Sequence, residues 1–92
     1  MSTVRKRVVV RGRVQGVFFR DTMRRMAESR GVCGWVRNRE DGAVEAALEG
    51  EPDAVEAIVA FAREGPRGAA VEDVEVADEE PEGASGFQIT RS

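Results

Sequence analysis

The sequence predicts an α+β fold of order β-α-β-β-α-β with a short extra strand at its end. One antiparallel sheet would carry two helices on one face. Three observations lead there. The chain has 92 residues, enough to close one core and little more. Apolar residues recur at strand spacing in some stretches and at helix spacing in others. Glycine, proline and Asp-Gly signals fall between those stretches.

The elements follow in order. Val8-Val9-Val10 lies in a β-branched run and reads as a buried strand. Gly12 and Gly16 then punctuate a loop. Phe19, Met23, Met26 and Ala27 share one face of a helix from about Phe19 to Arg30, which Gly31 stops. The next strand covers about Cys33 to Asn38, and Asp41-Gly42 signals a hairpin turn. In the returning strand Val44, Ala46 and Leu48 alternate with Glu45, Ala47 and Glu49, which predicts one dry and one wet sheet face. Pro52 suits the first turn of a second helix, with Val55, Ile58, Val59 and Ala62 as its apolar stripe and Gly65-Pro66 at its end. Val74 and Val76 mark a fourth strand, the acidic stretch from Asp78 to Glu82 reads as a solvated loop, and Phe87 and Ile89 mark a short last strand. The whole is the ferredoxin-like split βαβ sandwich, a fold that many unrelated activities share.

Composition narrows the function classes. An apolar share of 41% is ordinary for a globular chain, and no apolar run is long enough to span a membrane. The start, Met1 to Arg7, lacks the apolar stretch of a secretory signal, and the single cysteine, Cys33, has no internal disulfide partner, so a cytoplasmic location is expected. The formal net charge is only −3, yet residues 1–39 hold 11 of the 14 Lys and Arg, whereas residues 40–92 hold 15 of the 17 Asp and Glu. Either the basic half meets an anionic partner, or the two halves interleave and neutralise each other.

The segment richest in chemistry is Gly12-Arg13-Val14-Gln15-Gly16-Val17-Phe18-Phe19-Arg20, between a strand and a helix. Glycines free its backbone to curl, so that consecutive N–H groups can face one anion, and the helix behind adds its positive end. Arg20 falls at that helix start, where its planar fork can bind two phosphate oxygens. An ordinary strand-to-helix turn would also use these glycines. The run is neither a Walker loop nor a dinucleotide fingerprint. The second segment is Gly34-Trp35-Val36-Arg37-Asn38, followed by Asp41-Gly42-Ala43-Val44-Glu45. Asn38 is the only asparagine, and its amide could hold a water or simply help the turn.

Together these runs, with Gly65-Pro66-Arg67-Gly68-Ala69 and Val74 further on, resemble the acylphosphatase family over about Val4 to Arg91. The resemblance implies a single domain of that family over residues 4–92. It implies hydrolysis of the carboxyl–phosphate anhydride of small acyl phosphates to carboxylate and inorganic phosphate. It places the phosphate on the backbone of Val14, Gln15, Gly16, Val17, Phe18 and Phe19, gives its grip to Arg20, and makes Asn38 the residue that orients the attacking water. It further implies that the bound phosphate takes that water's proton.

The rest of the chain is compatible with such chemistry. It has no histidine, and Cys33 lacks a partner to activate it, so it reads as a buried structural cysteine. No spacing suggests a metal site, and no metal or other cofactor is expected. A carboxylate leaves without a proton, so positioning and charge neutralisation carry the reaction. Two rival readings are a binding module of the same fold, as in larger proteins that handle carbamoyl phosphate, and an RNA-binding domain. An end at Ser92 leads us to expect the free enzyme, acting as a monomer on a small molecule. The chain has no tyrosine and lacks the aromatic strand run of an RNA-recognition sheet, so neither nucleic acid nor membrane is an expected partner.

Overall fold

A computed structural model describes residues 2–91 of the chain. The element order is β1 (Val4–Arg13), α1 (Phe19–Arg30), β2 (Cys33–Asn38), β3 (Val44–Gly50), α2 (Pro52–Glu64), β4 (Ala70–Glu79) and β5 (Phe87–Ile89). These make one five-stranded sheet of order β4-β1-β3-β2-β5. The first four strands in that order pair antiparallel, as a split βαβ sandwich requires, and the short last strand joins β2 in parallel, making the sheet mixed. The expected domain end at Ser92 lies outside the described residues.

The helices cover one sheet face because both present an apolar stripe. Phe19, Met23 and Ala27 of α1 and Val55, Ile58, Val59 and Ala62 of α2 are buried against Val8, Val10, Val36, Val44, Ala46 and Leu48 of the sheet. The ring of Phe19 meets that of Phe61 with centroids 5.4 Å apart, which fixes the start of α1 against α2. Pro52 occupies the first turn of α2, and Gly31, at φ 70°, closes α1.

The opposite sheet face departs from the expected alternation of dry and wet. Every residue from Val44 to Glu49 is buried. The buried carboxylates Glu45 and Glu49 lie against long arginine side chains from the neighbouring strands, whose aliphatic stems exclude water. Arg7 and Arg37 both reach Glu45, at 3.0 and 2.7 Å. Arg5, only 3% exposed, bridges Glu49 and Glu79, each at 3.1 Å. Trp35 lies beneath the Arg7 and Arg37 guanidinium groups, 5.1 and 5.9 Å from its ring.

This network also corrects the reading of Asp78 to Glu82 as a solvated loop. Asp78 and Glu79 belong to β4, drawn into the ladder opposite Lys6 and Arg5. Beyond them the backbone N–H groups of Glu82, Gly83 and Ala84 all donate to the Glu49 carboxylate, so the loop is tied down rather than free. The basic and acidic halves interleave across the sheet, which accounts for much of the charge asymmetry. Cys33, expected to be buried, is half-buried and free.

Candidate functional site

Gly12 does not belong to a loop, contrary to the sequence expectation; it sits inside β1. The β1–β4 register shifts between Arg11 and Gly12, and a Cβ at Gly12 would stand 2.2 Å from the Ala70 carbonyl oxygen. Gly12 is therefore a bulge residue that admits the neighbouring strand. Gly16 differs. Its φ is 75° and the space a side chain would fill is empty, so its role is to turn the backbone between β1 and α1.

The turn ends on Phe18, the only non-glycine residue with positive φ among those described (φ 60°, ψ 25°). Phe18 is also the N-cap of α1 and offers no side-chain acceptor. Serine, threonine or aspartate at that position would satisfy an N–H of the first turn. Here the first turn has no such cap, so its amides and the positive end of the helix dipole remain for another acceptor. A left-handed phenylalanine costs about 1–2 kcal/mol, a strain that folded chains concentrate at functional sites.

A cavity of about 270 Å³ opens beside this turn. Val14, Gly16, Phe18 and Phe19 line it from the loop, Arg20 and Asp21 from the first turn of α1, and Asn38 and Ile89 from the facing strand ends. An adjoining depression is lined by Arg20, Asn38, Thr90 and Arg91. The cation and the amide expected from the sequence thus share one wall, although the chain separates them by 18 positions. Asp21 does not neutralise Arg20. Arg24 and Arg25 hold its carboxylate at 2.8 and 3.1 Å, and a hydrogen bond from Arg24 is the main cause that sets its pKa below the ordinary aspartate value. No carboxylate pairs with Arg20 among the described residues. The Asn38 Oδ1 is buried and has no hydrogen-bond partner among the described residues. Such an acceptor costs about 1–3 kcal/mol when left unmet, and it is free to take a hydrogen from a water or a ligand in the cavity.

The side chains of two of the expected loop residues turn to other partners, while their backbone stays in the loop. The Gln15 amide nitrogen donates to the carbonyls of Arg39 and Ala43, at 2.8 and 3.0 Å, and so staples the loop to the β2–β3 turn that follows Asn38. Val17 packs against the core. Sequence reading missed Asp21, Ile89, Thr90 and Arg91. Asp21 could have been found as the neighbour of Arg20. The other three come from the chain's far end, delivered by the parallel pairing of β5 with β2, where the Thr90 N–H donates to Val36. Among the described residues no group of His, Cys, Asp and Glu is placed to hold a metal ion, and no helix is long and apolar enough to cross a membrane.

Fold and cavity together define a small α+β sandwich in which, among the described residues, Arg20 has no carboxylate partner and the Asn38 Oδ1 no hydrogen-bond partner where loop, helix and sheet meet. The family model for acylphosphatase matches residues 6–89. An acylphosphatase of Rubrobacter xylanophilus is 58% identical over 90 residues, covering 96% of this chain and 81% of its own. One of Haloarcula marismortui is 53% identical over 89 residues, covering 97% and 98%. A solved acylphosphatase structure from Coxiella burnetii superposes with a TM-score of 0.91 at 38% identity, over 96% of this chain and 93% of that one. The chain belongs to the acylphosphatase family, and it is a hydrolase acting on acyl phosphates.

Proposed function

We propose that the cavity between Arg20 and Asn38 is where the carboxyl–phosphate anhydride is cleaved, and that the domain spanning residues 4–92 does this as a cytoplasmic monomer on a small acyl phosphate. The backbone of Val14 to Phe19, uncapped at the start of α1, receives the phosphate oxygens. Arg20 closes the ring with a bidentate grip. Asn38, on the same cavity, accepts a hydrogen from a water and aims its oxygen at phosphorus, in line with the anhydride oxygen. The new P–O bond forms as the P–O bond to the carboxylate breaks. The water's proton passes to a phosphoryl oxygen, and the products are carboxylate and dihydrogen phosphate. The carboxylate needs no proton to depart, so no acid is required of the protein. Gln15 acts as a positioning residue that holds loop and turn in register.

The observation that supports this reading best is that, among the described residues, an Asn38 Oδ1 without a partner lies on the same cavity as an Arg20 without a carboxylate partner. Release of phosphate from benzoyl phosphate by the purified chain tests it. Excess inorganic phosphate should inhibit competitively, and a chelator should leave the rate unchanged. Turnover that ignores inorganic phosphate would place the reaction elsewhere on the molecule.

A further inference from the structure

Only two large apolar side chains are exposed among the described residues, Phe18 at 79% and, less so, Ile89 at 39%. Both line the cavity of Arg20 and Asn38, and they come from opposite ends of the chain. Scattered exposed apolar residues are unremarkable, but two that line the same cavity are placed to meet whatever enters it. The apolar residues deeper in the same wall, Val14 and Phe19, are 1% and 2% exposed. The cavity therefore has a closed floor and an apolar rim.

The backbone reinforces this. Phe18 adopts a left-handed conformation that would suit glycine better, and the strained residue presents its ring outward instead of adding it to the core. Ile89 is held by the parallel pairing of β5 with β2, opposite Val36 and two positions from Asn38. The two apolar groups thus flank the polar pair from the loop side and from the sheet side.

We infer that Phe18 and Ile89 form a subsite for the acyl portion of the substrate and make the enzyme selective for acyl phosphates with an aromatic or branched aliphatic acyl group over those with a small or polar one. This rests on the proposed placement of the phosphate between the loop and Arg20. With the phosphate held there, the acyl group points out of the cavity and across the rim. An apolar acyl group buries both side chains; an acetyl or carbamoyl group is too small to do so.

The test is the ratio of kcat/KM for benzoyl phosphate to that for acetyl phosphate, measured for the native chain and for Phe18→Ala, Ile89→Ala and Phe18→Trp. Losing one apolar wall of a pocket changes such a ratio by about tenfold. The ratio should fall about tenfold in Phe18→Ala and several-fold in Ile89→Ala, which lies outside the loop, and Phe18→Trp should preserve it. The inhibition constant for inorganic phosphate, which has no acyl group, should stay within about twofold of native in Ile89→Ala. A ratio unchanged in both alanine variants, with native turnover of both substrates intact, would overturn the subsite while leaving the phosphate site standing. Failure of the native chain to show competitive inhibition by phosphate would instead remove the phosphate placement on which the subsite depends.

Discussion

A guanidinium and a carboxamide can share a cavity wall and still do separable work. Arg20 presents a planar fork with several donors, which a point charge does not reproduce. Arg20→Lys should therefore raise the inhibition constant for inorganic phosphate nearly as much as Arg20→Ala, by about tenfold or more, since charge-assisted hydrogen bonds contribute about 1.5–3 kcal/mol. Recovery of native inhibition in Arg20→Lys would mean that charge alone suffices. Both residues were singled out by the runs GRVQGVFFR and GWVRN, whose joint resemblance to the family, and not their local spacing, pointed to them. What was not legible is whether the Asn38 amide does more than help the turn. That depends on its Oδ1 being buried without a partner, a property of the fold and not of the local sequence.

The elements that matter are the end of β1 and the turn into α1, and their two glycines do different jobs. At Gly12 a Cβ collides with the Ala70 carbonyl, and φ is 128°. At Gly16 there is space but φ is 75°. Gly12→Ala should destabilise by more than about 2 kcal/mol, whereas Gly16→Ala should cost only about 1–2 kcal/mol and act mainly on catalysis. Urea denaturation compared with turnover separates the two, and equal stability losses would contradict the assignment. Helix α1 and strand β2 could be read to their ends, because a Gly31 stop, an Asp41-Gly42 turn and an apolar stripe agreed locally. The bulge at Gly12 could not be read, since it exists only where β4 comes alongside β1. The same holds for the cavity contribution of Ile89, Thr90 and Arg91, which depends on a parallel pairing to a strand some 50 residues earlier.

Across the whole molecule, the sheet face away from the helices is held by ion pairs instead of apolar contact. Three backbone N–H groups of the 82–84 segment point at Glu49; the Glu82 amide is the leading cause of its lowered pKa, and Arg5 adds to it against the opposing effect of burial. Burial acts to raise the Glu45 pKa, but hydrogen bonds and charge from Arg37 and Arg7 outweigh it and leave it lowered. Both carboxylates are thus more acidic folded than unfolded. As pH falls, the unfolded chain takes up protons first, near the ordinary glutamate value of about 4.3, so stability present above that value is lost as pH drops through the folded values. The melting temperature should be flat from neutral pH down to about pH 5 and fall below it. Glu49→Gln should lower stability at neutral pH by about 2 kcal/mol and flatten that acid slope. An unchanged slope would mean that other carboxylates set the acid limit. The alternation of β3 was visible in the sequence, but its wet face could not be known to be covered, because the covering side chains come from β1 and β2. This ionic face and the apolar layer opposite it hold loop, helix and strand end around one cavity, and the division of labour within that cavity is open to a single paired measurement. Steady-state hydrolysis of benzoyl phosphate by Arg20→Ala and Asn38→Ala, with inorganic phosphate as inhibitor, should show weakened phosphate binding in the arginine variant. The asparagine variant should keep its inhibition constant within about twofold while kcat drops by roughly 10²–10³. Near-native kcat/KM in either variant, or loss of phosphate inhibition in Asn38→Ala, would contradict the account.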